Sequence, residues 1–387
     1  MSAFRDAVMP VAEPCAPEPA APGPSALEPS PPEPGRFCPA DYRLGARAFL
    51  AQPEFESDCL YVAGGLYGNT LALDALLALY ASEAADRPAL VFNGDFHWFD
   101  IDPAQFQRIE RLTAPHRRLR GNVETELARA PLAGDSADDA GCGCAYPDDV
   151  DDGVVERSNR ILARLRDTAR AGRHAAALGA LPMVARVRVA GVGVAITHGD
   201  EESLAGWRLA NDRLGESWGT GLAQCLHDLD AQVMASSHTC LAVADTLEDR
   251  GRVLAAINNG AAGLANFAGS HAGLVTRIAR HDLGLPPGAR ELYAARVGET
   301  RISALAIDFD RAAWLACFDA QWPADSEAAR SYRERAVQGT ALQPEAAARG
   351  GFVARPVLAQ PAPAEQPGVQ PDVQPGVQRS GVQQARA

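Results

Sequence analysis

Ala89-Leu90-Val91-Phe92-Asn93-Gly94-Asp95 is a short apolar run that stops at a Gly turn and then presents a carboxylate. A run of that length, bounded by turn residues, reads as a buried strand. Three other places also present a metal-ligand type just past a strand-like run, two of them apolar and one basic. Val192-Gly193-Val194-Ala195-Ile196 leads to Thr197-His198-Gly199, Ala231-Gln232-Val233-Met234 leads to Ser237-His238-Thr239, and Arg117-Arg118-Leu119-Arg120 leads to Gly121-Asn122. Carboxylate, amide oxygen and imidazole are all metal-ligand types. In an open α/β fold the strand C-termini converge on one edge, so these groups can meet around one ion. A fifth segment, Gly64-Gly65-Leu66-Tyr67-Gly68-Asn69, follows Leu60-Tyr61-Val62-Ala63 and carries no ligand. The pattern is that of half a metal site kept and half lost.

Between these segments the chain alternates strand, turn and helix. Thr70 to Ala81 is an apolar helix with Leu71, Leu73, Leu76, Leu77 and Leu79, and Gln105 to Leu112 is a second. Val154 to Arg170 is a third, with Ile161, Leu162 and Leu165 on one side. Leu181 to Ile196 reads as a hairpin turning near Ala190-Gly191, and a helical stretch with Trp207 and Leu209 is expected after His198. Val253–Ile257, Val275–Ile278 and Ile302–Phe309 read as late strands of a second, mostly antiparallel sheet. The alternation indicates an α/β architecture. Residues 130–152 interrupt it with a Gly- and Asp-rich loop holding Cys142 and Cys144, a length that in a compact domain points to function or disorder.

Composition divides the chain of 387 residues into three. Residues 1–37 are rich in Pro, Ala and Glu, and residues 326–387 in Gln, Pro and Val, so both are expected to be disordered tails. Residues 38–325 remain for one large domain. A net charge of −13 speaks against a nucleic-acid partner, which needs a basic face. No apolar run approaches the roughly 20 residues of a membrane span, and no secretory signal opens the chain. The expected location is cytoplasmic, with the eight cysteines mostly reduced. The acidic run Asp148-Asp149-Val150-Asp151-Asp152 reads as a solvated loop.

Taken in order, the segments resemble those of the calcineurin-like metallophosphoesterase superfamily, over roughly residues 58–310. Gly68-Asn69 followed by an apolar helix matches the end of the family's first motif. Gly94-Asp95, Gly121-Asn122, His198-Gly199 and His238 match the next ones, and Asn258-Asn259-Gly260-Ala261 is a counterpart of its Asn-Pro-Gly-Ser turn. The resemblance implies a four-layer α/β/β/α sandwich of two mixed sheets with a two-metal site on the strand edge. It also implies phosphate mono- or diester hydrolysis of a small substrate. The departures are specific. Gly65 stands where the family has an Asp, Tyr67 where it has a His, Val123 replaces the His after Asn122, and Cys240 replaces the last His. Three of the four ligands of one metal are thereby changed. The full set for the other is present as Asp95, Asn122, His198 and His238. One Zn, Fe or Mn ion held by that set can act as a Lewis acid and acidify a water.

Other residues leave the reading open. Cys240, with Cys142 and Cys144, could rebuild the second position with sulfur ligands, giving two ions. Alternatively the loop is a solvated insertion and Cys240 a small buried residue. His97, two residues past Asp95, could supply a proton near the leaving group or simply pack beside Trp98. Glu124 follows the Asn122-Val123 pair, where it could take part in catalysis or orient a neighbour. Tyr67 could bind a phosphate oxygen or fill the volume of the missing His and metal. Function is accordingly expected to be a phosphoesterase with an atypical site. The alternatives are a catalytically silent relative that binds metal or a partner, and a cysteine-rebuilt site with other chemistry.

Overall fold

The computed structural model describes residues 33–129 and 141–355. The expectations for residues 1–32, 130–140 and 356–387 lie outside the described residues. Thirteen strands among the described residues form two sheets. One has the order β1 (Glu54–Ser57), β5 (Val184–Val189), β6 (Val192–Thr197), β7 (Val233–Ser236), β9 (Arg252–Asn258) and β8 (Val243–Asp249). The other runs β13 (Val353–Ala354), β11 (Glu291–Val297), β12 (Thr300–Ile307), β10 (Gly273–Arg280), β2 (Cys59–Ala63), β3 (Pro88–Asn93) and β4 (Arg117–Leu119). Both are mixed. β2, β3 and β4 are parallel in one, β6, β7 and β9 in the other, and the remaining pairs are antiparallel apart from β1 with β5.

Side-chain alternation builds four layers. Leu60 and Val62 of β2 point into the space between the sheets, where they meet Val194, Ile196, Val233 and Ile257 of the facing sheet. Cys59, Tyr61 and Ala63 point the other way, onto Leu73 and Leu76 of the helix Thr70–Ala81 and Ile109 of the helix Pro103–Thr113. On the opposite outer face, Ala195, Met234 and Leu254 pack on Leu222 and Leu226. Burial on both faces explains why these strands read as continuous apolar runs and not as alternating ones. The result is the expected four-layer α/β/β/α sandwich of two mixed sheets. No helix among the described residues is long and apolar enough to cross a membrane.

Three expectations are corrected. The late strands do not form a sheet of their own. β10 hydrogen-bonds to β2 with Thr276 opposite Val62, so β10–β12 extend the first parallel sheet, while β8 and β9 join the hairpin β5–β6 through β7. The segment after His198 stays non-helical as far as Leu214. Asp200 holds it in a turn by accepting from the backbone N–H of Glu202, Ser203 and Arg208. Order also continues past 326. Ser326 caps a helix, Glu327–Gln338, whose Ala328, Ala329 and Ala336 are buried against the cluster of Trp98, Trp314, Phe318 and Trp322, and β13 then pairs with β11. An alanine face buries closely against aromatic rings without leaving an apolar stripe in the sequence, so composition alone reads this helix as a polar tail.

Candidate metal centre

The parallel strands bring their C-terminal ends together at one edge. β3 ends at Asn93, β6 at Thr197 and β7 at Ser236, and the residues just beyond them carry the site. Asn93 ties the two sheets there. Its Nδ2 donates to the Thr197 carbonyl at 2.7 Å, and its own carbonyl accepts from His198 Nδ1 and Ser237 Oγ, each at 2.8 Å. The approach is close enough to require glycine twice. A Cβ on Gly94, whose φ is +80°, would lie 2.4 Å from His198 Nδ1, and one on Gly121 would lie 2.8 Å from His198 Nε2. Asp95 itself has φ +57°, a left-handed conformation that carries strain in a non-glycine residue and is typical of functional turns.

Four donor atoms converge. His198 Nε2 lies 3.0 Å from Asn122 Oδ1, 3.2 Å from His238 Nδ1 and 3.3 Å from Asp95 Oδ1. Among the described residues, Asp95, His198 and His238 are the one group of three His, Cys, Asp or Glu donors lying within 4.8 Å of one another. The surrounding hydrogen bonds fix which atoms face inward. His198 Nδ1–H is used on the Asn93 carbonyl, leaving a lone pair on Nε2. His238 Nε2–H donates to the Cys144 carbonyl at 3.1 Å, leaving a lone pair on Nδ1. Asn122 Nδ2 donates to the Cys142 carbonyl at 3.0 Å, turning Oδ1 inward. Asp95 Oδ1 is buried without a hydrogen-bond donor. Four lone pairs therefore point at one place with no proton between them, which costs free energy unless a cation sits there. Ligand atoms about 2.1 Å from one ion lie about 3.0–3.4 Å from each other, which is the spacing from His198 Nε2 to each of the other three. The donor set fits a divalent ion.

The electrostatics agree. Burial opposes a charge on His198, but Asp95 and the Asn93 carbonyl outweigh it and raise its pKa, so the position by Nε2 favours positive charge. Burial, and then the neighbouring His198, hold His238 down at about 4, so it is a neutral imidazole near pH 7.

Glu124 stands behind Asp95. Its carboxylate accepts from the backbone N–H of Asp95 and Gly121, both at 2.9 Å, and of Phe96 at 2.8 Å. Burial, and the charge of Asp95, raise its pKa. With both oxygens engaged it positions the Asp95 turn and does not reach a substrate.

His97 is not placed for proton transfer. It is fully buried, faces Asp100 at 3.1 Å and Glu110 at 3.2 Å through its two ring nitrogens, and stacks on Phe106 at 3.6 Å. Burial alone would lower its pKa, but the two carboxylates carry it up to about 9. Both nitrogens are consumed in a buried network that Arg118 completes through Glu110.

The cysteines also take other places. Cys142 and Cys144 are buried beside the site, but what they direct to it is backbone, the carbonyls that hold Asn122 and His238. Cys142 Sγ accepts from the Cys144 N–H at 3.4 Å, and burial pushes the Cys144 thiol far above its usual value. Cys240 Sγ meets Tyr67 Oη and the His238 carbonyl, and burial raises it to about 11. A thiolate-built second position is not assembled.

Tyr67 fills volume. A Cβ on Gly65 would lie 3.0 Å from Tyr67 Cζ and 3.1 Å from its Oη. The phenol thus lies where a side chain at position 65 would project, with Cys240 against its hydroxyl.

A cavity of about 290 Å³ opens onto Asp95, Asn122 and His238. Its walls include Trp98, Tyr146, Arg157, Trp207, Arg330 and Tyr332, none of which the sequence reading assigned to the site. Trp207 Nε1 donates to the same Cys144 carbonyl that His238 uses. Arg330 and Tyr332 come from the helix beyond 326.

No family model matches the chain, and no curated protein matches it in sequence. Among solved structures, a hypothetical protein, PH1004, from Pyrococcus horikoshii OT3 is similar with a TM-score of 0.51 and 12% identity, over 73% of this chain and all of its own. A metallophosphoesterase from Sphaerobacter thermophilus is similar at 16% identity over 73% of this chain and 100% of its own, with a TM-score of 0.44. The likeness to the first is one of fold. That fold has two mixed sheets with helices on both outer faces, and it sets the donor residues at the strand edge in the order expected from the sequence.

Proposed function

We propose that the chain is a metal-dependent phosphoesterase that works with a single divalent ion, Mn, Fe or Zn, held by Asp95, Asn122, His198 and His238. The observation that carries this reading is the convergence of four proton-free lone pairs, with Asp95 Oδ1 buried and otherwise unpartnered. The ring of Tyr67 beside Gly65, with Cys240 behind it, supports one ion and not two. Bound there, the ion supplies a Lewis acid for a phosphoryl oxygen and acidifies a water.

The chain's own residues do the rest. Glu124 fixes the Asp95 turn, and the Cys142 and Cys144 carbonyls orient Asn122 and His238. Val123, where the family has a His, offers no proton to a leaving group. Burial keeps the Tyr67 phenol protonated, and its hydroxyl is engaged by Cys240, so it brings no charge to the cavity. Losing a positioned acid costs about 10²–10⁴-fold in rate, so turnover is slow. The half-open cavity of about 290 Å³ suits a small phosphate ester.

The test is turnover of bis(p-nitrophenyl) phosphate and p-nitrophenyl phosphate with added Mn. The expected result is slow, metal-dependent hydrolysis that falls at least about 10²-fold in Asp95→Ala and His198→Ala. Metal binding without hydrolysis of any phosphate ester would instead identify a catalytically silent relative.

A further inference from the structure

The cavity over the cluster has a character of its own. Trp207 and Tyr146 pair at 5.7 Å between ring centroids, and Trp98 and Tyr332 at 6.4 Å, and all four rings line it. They come from four separate segments of the chain. Aromatic rings gathered around a polar centre are stacking surfaces for a flat π-system.

The charge is also unusual for this molecule. The chain carries 49 acidic and 36 basic side chains, and most of its arginines near the surface pair with carboxylates. Arg157 and Arg330 both line the cavity, and neither pairs with a carboxylate among the described residues. Arg157 spends only Nε, on Ser331 Oγ at 2.7 Å, which fixes the guanidinium and leaves its terminal nitrogens for another acceptor. Asp95 is the one acidic side chain in the lining. An anion is thus attracted into this cavity although the protein as a whole repels it.

We propose that the substrate is a phosphate ester whose organic part carries a planar aromatic ring, which lies among Trp98, Tyr146, Trp207 and Tyr332 while Arg157 and Arg330 take anionic oxygens. The inference builds on the phosphoesterase reading and names the substrate class of that site. A phosphorylated sugar, polyol or serine lacks the flat group that these rings are placed to meet.

Binding is the test, because it does not require turnover. Adenosine 5′-monophosphate and ribose 5-phosphate share one phosphate ester and differ by the ring. Titrated calorimetrically into the full chain with Mn, the first is expected to bind about tenfold more tightly or better. Tyr332→Leu should remove much of that difference while leaving ribose 5-phosphate unchanged. Arg157→Gln and Arg330→Gln should weaken adenosine 5′-monophosphate but not adenosine. Equal affinity for the two phosphates, or no binding of either, overturns the proposal. Ring-dependent binding without hydrolysis of any ester would keep the ligand class, as that of a binding site, and remove the phosphoesterase reading instead.

Discussion

At the scale of single residues, the site depends as much on what holds the donors as on the donors. Glu124 gathers three backbone N–H groups at the Asp95 turn, and glutamine can satisfy fewer of them. Glu124→Gln should therefore weaken Mn binding by about 10–100-fold, read by calorimetry, with the fold intact by circular dichroism. The double variant Cys142→Ser, Cys144→Ser should keep its metal, since carbonyls and not thiols face the ligands; a fall in metal content would restore sulfur ligation. Asp95, His198 and His238 were legible in the sequence because each follows an apolar run with a metal-ligand type, whereas Asn122 follows the basic Arg117-Arg118-Leu119-Arg120 and was found through the order of the motifs. His97 was not, because the left-handed turn at Asp95 decides on which side of the chain the next residues lie, and that is a backbone property no residue type announces. The part played by the Cys142 and Cys144 carbonyls was hidden for the same reason, since every residue has a carbonyl.

At the scale of elements, the buried pair Arg277–Glu83 joins β10 to the end of the helix Thr70–Ala81. Arg277 is wholly buried, and its Nε donates to Glu83 Oε2 at 2.8 Å, where Tyr61 Oη also donates at 2.7 Å. Glu83→Gln should destabilise the fold by about 3–5 kcal/mol in urea denaturation, because it leaves a buried guanidinium without its counter-charge. A loss below about 1 kcal/mol would show that the pair is not buried in solution. Strands and helices were largely readable as local patterns, the helix Thr70–Ala81 and the hairpin β5–β6 among them. Which sheet the late strands join was not, because the pairing of β10 with β2 links residues more than two hundred positions apart. The helix Glu327–Gln338 was missed because alanines packed on tryptophan look like linker composition. A chain ending at 325 should lose this cover over Trp98 and Trp322, unfold at lower temperature and expose apolar surface to a dye such as ANS.

At the scale of the whole molecule, acid stability follows from the same pair. Burial opposes the Glu83 charge, but Arg277 and Tyr61 prevail and hold its pKa at about 2, below its ordinary 4.5. A carboxylate lowered in this way contributes stability above its unfolded pKa and loses it as pH falls through the folded value. The contribution should therefore fade as pH falls from about 4.5 to 2, and Glu83→Gln should flatten that part of the stability profile. The fold as a whole brings four strand ends to one edge and closes a phenol over the place beside them. The most direct test is metal content per chain of the purified protein, measured beside Asp95→Ala and His198→Ala. One ion in the parent chain, lost in both variants, is the predicted result. Two ions, or none, would contradict a single-ion centre built on Asp95, Asn122, His198 and His238.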